Sequence, residues 1–195
     1  MTRREPNEIR YVIVHHSATS EGNVTSFRKY HVEVNKWSDI GYHYVITNGR
    51  GGPDGEVQEG RNILFTGAHA EGRNEDSIGV CLVGDFTKSK PTTAQIDALY
   101  KLLRELMEKY PITPERILGH NEVAATQCPG TLDMNTVRKV LTQPPESFVV
   151  VNGIKLPMVL IKGSAYVPVR DLIDTLNYHV EWDPSTGTVH IKSGG

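Results

Sequence analysis

The chain has 195 residues, of which 38% are hydrophobic and 23% are charged, a balance typical of a globular protein with a substantial core. Its 21 lysines and arginines nearly balance its 23 aspartates and glutamates, giving a formal net charge of −2. Without a basic surplus to neutralise phosphates, nucleic acid is not an expected partner. No apolar run approaches the roughly 18 residues of a membrane span, so membrane insertion is not expected either.

The first half of the chain alternates apolar runs with a helical pattern. IRYVIVHHS, residues 9–17, has the β-branched run of a buried strand that ends in two histidines. TSFRKYHVEVN, residues 25–35, repeats apolar residues at helical spacing. Further strands are predicted at GYHYVIT (41–47), around Val57 and at SIGVCLV (77–83).

The clearest helix follows, over TTAQIDALYKLLRELMEKYP. Thr92 and Gln95 fit a capping box at its start, and Pro111 ends it. The stretch RILGH, ending at His120, then reads as a strand end, and LDMNTVRKVL as a last amphipathic helix. Strands interleaved with helices predict an α/β domain with a central mixed sheet of at least four strands flanked by helices.

A domain boundary is expected at QPPES, residues 143–147, because two successive prolines remove backbone donors and stiffen the chain. This linker divides the chain into a first domain, 1–142, and a small second one, 148–195. The second segment reads as strands around one short helix, an α+β module.

Three residues have the side chains of a zinc centre. His15 ends a strand, His120 ends the RILGH segment, and Cys128 follows eight positions later. Catalytic zinc commonly takes three protein ligands and leaves a fourth position open. The alternative is chance proximity, since the chain has eight histidines and neither a CxxC pair nor an HExxH helix. The other cysteine, Cys81, lies in an apolar run and is expected in the core, unpaired.

Four segments carry a resemblance to a known family. They are VIVHHSAT (12–19), GYHYVIT (41–47), GAHAEGRN with SIGVCLVGDF (67–86), and GHNEVAATQCPG (119–130). Their order resembles the successive motifs of the type-2 N-acetylmuramoyl-L-alanine amidases, which include phage amidase endolysins and animal peptidoglycan recognition proteins. The resemblance implies their fold and a zinc-dependent hydrolysis in bacterial peptidoglycan. The bond cut would be the amide between the lactoyl group of N-acetylmuramic acid and L-alanine.

The resemblance also implies roles for individual residues. His15, His120 and Cys128 match the zinc ligands, and Tyr42 matches the catalytic tyrosine, whose phenol would hydrogen-bond the reacting oxygen. Thr126 occupies a catalytic position where several phage members carry lysine. A neutral hydroxyl can still donate a hydrogen bond to an oxyanion, but it brings no positive charge.

The remaining polar residues of the motifs have less defined roles. His69 matches a position lining the substrate cleft and is expected in substrate binding or oxyanion support, with a structural histidine as the alternative. Asn74 is expected either to cap its turn or to touch substrate. His16 and His43 are expected to pack and hydrogen-bond around the site, because neighbours of a strand residue point to the opposite face. His31, His179 and His190 have no expected role.

The tail, residues 148–191, resembles the N-terminal stalk domain of copper amine oxidases through VPVRD and WDPST. The name implies no copper here, and cell-wall binding or self-association into a homo-oligomer is the expected role. The N-terminal MTRREPNEIR lacks the apolar region of a signal peptide. This fits a bacteriolytic phage or prophage endolysin, or an autolysin, made in the cytoplasm and reaching the wall through a separate pore. A non-catalytic peptidoglycan-binding protein and an amidase of soluble muropeptides in wall recycling are the alternatives.

Overall fold

The computed structural model describes residues 1–143, 147–151, 154–161, 164–167, 172–173, 175–183, 186 and 188–193. The chain divides into two compact units, Met1–Gln143 and Pro144–Gly195. Most of the predicted linker, residues 144–146, lies outside the described residues, as do residues 168–171 and 184–185 of the tail motifs. No helix of the described part combines the length and apolar character needed to cross a membrane.

A mixed five-stranded sheet forms the centre of the first unit, which the structure describes throughout. Its strands are β1 (Tyr11–His16), β2 (Tyr44–Ile46), β3 (Val57–Glu59), β4 (Ser77–Leu82) and β5 (Ile117–Gly119). They run in the order β3-β2-β4-β1-β5, and only β3 is antiparallel to its neighbour. The predicted α/β class with a central mixed sheet is therefore confirmed.

Three α-helices accompany the sheet: α1 (Val24–Glu33), α2 (Thr93–Lys109) and α3 (Met134–Thr142). The predicted capping box of α2 is present, because the Thr92 side chain accepts from the Gln95 N–H and the Gln95 side chain accepts from the Thr92 N–H. The larger core cluster joins α2 and α3 to alternate residues of the central strands, including Val12, Val14, Ile78 and Val80.

The opposite face of the sheet packs against α1. A second, smaller cluster there contains Val24, Val45 and Cys81, with Phe27 and Tyr42 against it. Side chains alternate along a strand, so His15 shares this α1 face with its register partner Cys81, whereas His16 faces Phe86 of the larger cluster. The two histidines of β1 therefore serve opposite faces.

Two predicted strands are shorter than expected. β2 begins at Tyr44 instead of residue 41, although the carbonyls of Tyr42 and His43 still accept from the N–H groups of Arg61 and Gly60, beyond the end of β3. β5 ends at Gly119, and His120 begins a single 3-10 turn, His120–Glu122. The turn forms there because the Glu122 carboxylate accepts the Gly119 N–H at 2.7 Å.

A buried arginine anchors the segment between β3 and β4. Arg4 is 3% exposed, and its guanidinium donates to the carbonyls of Ile63, Asn74, Glu75 and Ser77. Burial lowers the pKa of Arg4 to about 10, which still leaves it charged at neutral pH. This segment carries His69, so the N-terminal residues help to fix the loop beside the site.

The described part of the second unit is mostly β-structure. β6 (Ser147–Val151), β7 (Ile154–Ile161) and β8 (Ser164–Tyr166) form an antiparallel sheet in that order. β9 (Tyr178–Asp183) pairs with β10 (Thr188–Ser193), also antiparallel. Leu156 and Ile173 are buried. Part of the short helix predicted here lies outside the described residues.

Candidate metal centre and adjoining cleft

Three potential metal ligands meet at the carboxyl edge of the sheet. His15 lies near the end of β1, and His120 directly follows β5, the parallel neighbour of β1. A hydrogen bond of 2.7 Å from the Asn121 N–H to the Cys128 carbonyl folds the next loop back to this point. One ligand atom from each of the three residues lies within 4.8 Å of the other two.

The donor set suits zinc. Cys128 Sγ lies 3.7 Å from His15 Nδ1, and the rings of His15 and His120 are 4.4 Å apart between centroids. In a tetrahedral zinc site with bonds of about 2.3 Å to sulfur and 2.0 Å to nitrogen, the two ligand atoms lie about 3.5 Å apart. The three residues therefore fit the metal in chemistry, and the Cys128–His15 pair fits it in spacing as well.

Burial controls the protonation of these ligands. It lowers the pKa of His15 well below its usual value, and the neighbouring His120 and His16 lower it further. Burial likewise lowers the pKa of His120, so both imidazoles are neutral at pH 7, as metal ligands must be. Burial raises the pKa of the Cys128 thiol to about 11, although the backbone N–H of His16, 3.3 Å from Sγ, stabilises a thiolate there.

Tyr42 stands beside this centre at the wall of a cleft. Its ring centroid lies 5.3 Å from that of His15, and the side chain lines a cavity of about 820 Å³ that also contacts Phe27, Tyr30 and Arg50. Burial raises the pKa of the Tyr42 phenol well above 10, and nearby Cys81 and Cys128 add to the shift. The phenol therefore keeps its proton and can donate a hydrogen bond.

Cys81 has a contact that the sequence did not reveal. It is fully buried, as predicted for a core residue, and it lies in the cluster on which Tyr42 packs, where it raises the pKa of the Tyr42 phenol. Burial raises the pKa of Cys81 well above its usual value, so it stays a neutral thiol. Because side chains alternate along a strand, Cys81 and Val83 share one face. The signal that would have placed Cys81 near the site is the pairing of β4 with β1, which sets it opposite His15.

His31 is a second residue that sequence reasoning missed. It lies on α1 and lines the same cleft, with its ring 5.6 Å from Tyr42 and 4.7 Å from Trp37. Its Nδ1 accepts the Gly41 N–H at 3.1 Å. No sequence signal pointed to this role, because it depends on where α1 crosses the sheet.

Thr126 lies on the exposed loop that delivers Cys128. Its Oγ1 accepts the Cys128 N–H at 3.2 Å, and the hydroxyl proton remains available for donation. The side chain thus helps to hold the loop, and its hydrogen bond to a reacting oxygen stays a prediction.

His69 and Asn74 lie together in the loop between β3 and β4. His69 is 8% exposed, and its ring nitrogens face His15 and Ser77 at 3.1 and 3.5 Å. Asn74 Oδ1 accepts the N–H groups of His69 and Ala70. Of the roles expected for Asn74, these contacts are those of the turn cap; substrate contact by either residue stays a prediction.

His16 and His43 support the backbone around the centre. His16 Nδ1 accepts the Phe86 N–H at 2.9 Å. His43 Nδ1 accepts the Gly79 N–H at 2.9 Å, which leaves its Nε2–H to donate to the Phe65 carbonyl at 3.0 Å. Burial lowers the pKa of His43 to about 3, so its ring is neutral.

Comparison with known families covers both units. Residues 5–131 match the family described as N-acetylmuramoyl-L-alanine amidase. Residues 149–195 match the copper amine oxidase N-terminal domain, in agreement with the resemblance of the tail.

Individual relatives come from animals, phages and bacteria. Peptidoglycan-recognition protein SC2 of Drosophila melanogaster is 36% identical over 141 residues, which cover 68% of this chain and 74% of the relative. An endolysin of Klebsiella phage KP32 is 38% identical over 136 residues, covering 66% and 83%. Among solved structures, N-acetylmuramoyl-L-alanine amidase LysC from Clostridium intestinale URNW is similar, with a TM-score of 0.63 and 28% identity. That match covers 73% of this chain and 93% of LysC.

Proposed function

Since the chain belongs to the N-acetylmuramoyl-L-alanine amidase family, we propose that it is a zinc-dependent peptidoglycan amidase. It hydrolyses the amide bond between the lactoyl group of N-acetylmuramic acid and the L-alanine of the stem peptide. His15, His120 and Cys128 hold the zinc ion, and the cleft beside Tyr42 receives the substrate.

The observation that carries this proposal is the convergence of two imidazoles and one thiol next to a protonated phenol. The three ligand atoms lie within 4.8 Å of one another, and the Tyr42 ring is 5.3 Å from His15. Both imidazoles are neutral, and one thiol proton must leave for the cysteine to bind metal. A peptidoglycan recognition protein that only binds its ligand needs no cluster of two imidazoles and a thiol beside a protonated phenol.

The chain's own residues supply binding and charge stabilisation. Zinc, when bound, contributes Lewis acidity toward the lactoyl carbonyl and lowers the pKa of water. Tyr42 donates a hydrogen bond to the carbonyl oxygen as negative charge develops there, and Thr126 can donate a second one. Water adds to the lactoyl carbon, the C–N bond breaks, and the L-alanine amine leaves with the proton that water gives up.

The test combines zinc content with product analysis. His15→Ala and Cys128→Ser should each lose bound zinc and should release no lactoyl ends from purified sacculi, as measured by mass spectrometry. His190→Ala, which removes an exposed histidine of the second unit, is the matched control and should keep both zinc and cleavage of soluble muropeptides. Full activity in a metal-free variant would reject the zinc mechanism, and wall binding without cleavage by the zinc-loaded wild type would reject the amidase.

For the second unit, residues 148–195, we propose cell-wall binding or self-association. Support comes from its match to the copper amine oxidase N-terminal domain and from its separate compact packing. Deletion of residues 144–195 should reduce co-sedimentation with cell walls or lower the molecular mass in solution to that of a monomer. If neither value changes, both roles are rejected.

A further inference from the structure

His69 faces the proposed metal ligand from the buried side. Its Nδ1 lies 3.1 Å from His15 Nε2, and the two rings meet edge to face at 84°. The other nitrogen of His15, Nδ1, faces Cys128 Sγ at 3.7 Å. His15 therefore has one nitrogen for a metal and one for His69, and the position of a single proton decides which nitrogen has the free lone pair.

We propose that His69 is a positioning residue that holds His15 as its Nε2–H tautomer, with the Nδ1 lone pair directed toward zinc. This inference rests on the proposed function, because it takes His15 as a zinc ligand. In this role His69 acts on the metal through His15.

The direction of the hydrogen bonds is set by a carbonyl at the far end. Ser77 Oγ donates to the Arg73 carbonyl, which can only accept. Ser77 can then only accept from His69, whose Nε2 lies 3.5 Å away. His69 Nε2 thus carries the proton, and His69 Nδ1 is left to accept from His15 Nε2–H.

The opposite arrangement would lose a hydrogen bond. If His15 carried its proton on Nδ1, His69 would have to donate through its own Nδ1 and accept through Nε2. Ser77 has one proton, already given to Arg73, so nothing would satisfy His69 Nε2 from that side. Both rings are buried, and an unmade bond there is costly.

Two glycines make the slot for the His69 ring. A Cβ at Gly79 would lie 2.5 Å from His69 Cγ, and a Cβ at Gly67 would also overlap the imidazole. Asn74 fixes the backbone by accepting the His69 N–H at 2.8 Å. The ring is therefore held in place before any metal binds.

The consequence is a ligand that needs no reorganisation on binding zinc. Partners that orient a metal-bound histidine typically contribute about 10- to 100-fold in metal affinity. We expect His69→Leu, which removes the acceptor, to raise the zinc Kd by about that factor. His69→Asn, whose amide oxygen can replace Nδ1, should recover most of the loss.

Two measurements test the proposal. In metal-free wild type, two-bond nitrogen–proton correlation spectra of 15N-histidine-labelled protein should show His15 and His69 as Nε2–H tautomers. Zinc Kd, from competition with a chelator, should then rank wild type, His69→Asn and His69→Leu from tight to weak. His190→Leu, the same substitution at an exposed histidine of the second unit, is the matched control and should leave the zinc Kd unchanged.

The outcomes separate this inference from the proposed function. The spectra need neither zinc nor substrate, so an Nδ1–H tautomer of His15 overturns the inference even in an active amidase. An unchanged zinc Kd in folded His69→Leu overturns it as well. If His69→Leu does not fold, Ser77→Ala decides: a mixture of His15 tautomers supports the proposal, and a pure Nε2–H form rejects it.

Discussion

The buried residue Cys81, register partner of His15 in the sheet, belongs to the apolar cluster on which Tyr42 packs, and it raises the pKa of the Tyr42 phenol. This packing positions the ring at the cleft without adding charge to the centre. Cys81→Ala should therefore lower kcat about fivefold, the equivalent of roughly 1 kcal/mol, and should leave zinc content unchanged. Cys81→Ser keeps a hydroxyl in place and should retain more activity. Equal kcat values for both variants and wild type would show that Cys81 does not help to position Tyr42.

One hydroxyl of Thr126 is expected to serve two tasks. Its Oγ1 accepts the Cys128 N–H, and we propose that its proton is donated to the substrate oxygen. Thr126→Val removes both and should lower kcat by about 10- to 100-fold, in the range of losing one donor to an oxyanion. Thr126→Ser keeps both and should stay within a few-fold of wild type. The measurement is kcat and KM on a soluble muropeptide, and a loss confined to KM would contradict a role in charge stabilisation.

The slot around His69 predicts a specific effect at Gly79. A methyl group there would push the ring away from His15, so Gly79→Ala should weaken zinc binding by about tenfold or more. Gly72→Ala is the control, because nothing lies within 4 Å of its Cβ position although its φ is +76°. That variant should cost about 1 kcal/mol of stability and leave zinc affinity intact. Equal zinc affinity in the two variants would argue against the slot.

Acid should destabilise the metal-free protein. Burial lowers the pKa of His43 to about 3, whereas an unfolded histidine titrates near 6.5. The unfolded state therefore binds more protons between these values, and stability is full above about pH 6.5 and falls as the pH is lowered toward 3. The loss is about 1.4 kcal/mol per pH unit for one such ring. Burial lowers the pKa values of His15 and His69 as well, which adds to the slope.

Urea unfolding between pH 4 and 8 measures this slope. His43→Asn keeps an acceptor for the Gly79 N–H but cannot titrate, so its slope should be shallower by about 1.4 kcal/mol per pH unit. A slope identical to that of wild type would mean that His43 is not held neutral in the folded protein.

Local patterns predicted much of this architecture. The β-branched run before His15 and the capping box at Thr92 depend on neighbours in sequence, and both features are present as expected. The meeting of His15 and His120 was also predictable, because both lie at the carboxyl ends of strands, and parallel neighbours end at one edge.

Other features depend on contacts far apart in sequence. His69 meets His15 across 54 positions, through a loop held by Arg4 and a slot made by Gly79. His31 reaches Tyr42 only because α1 packs on that face of the sheet. Neither spacing nor periodicity encodes such approaches, and the resemblance to the family implied only a cleft or a structural role for His69.

The opposite orientation of His15 and His16 limits how β1 can change in evolution. One residue inserted or deleted before His15 would exchange the faces of every side chain in the strand, because their period is two. Val12 and Val14 would leave the larger core, and His16 or Val14 would point where His15 now meets Cys128. Insertions and deletions among relatives should therefore occur in the loops, while β1 tolerates substitutions but no change in length.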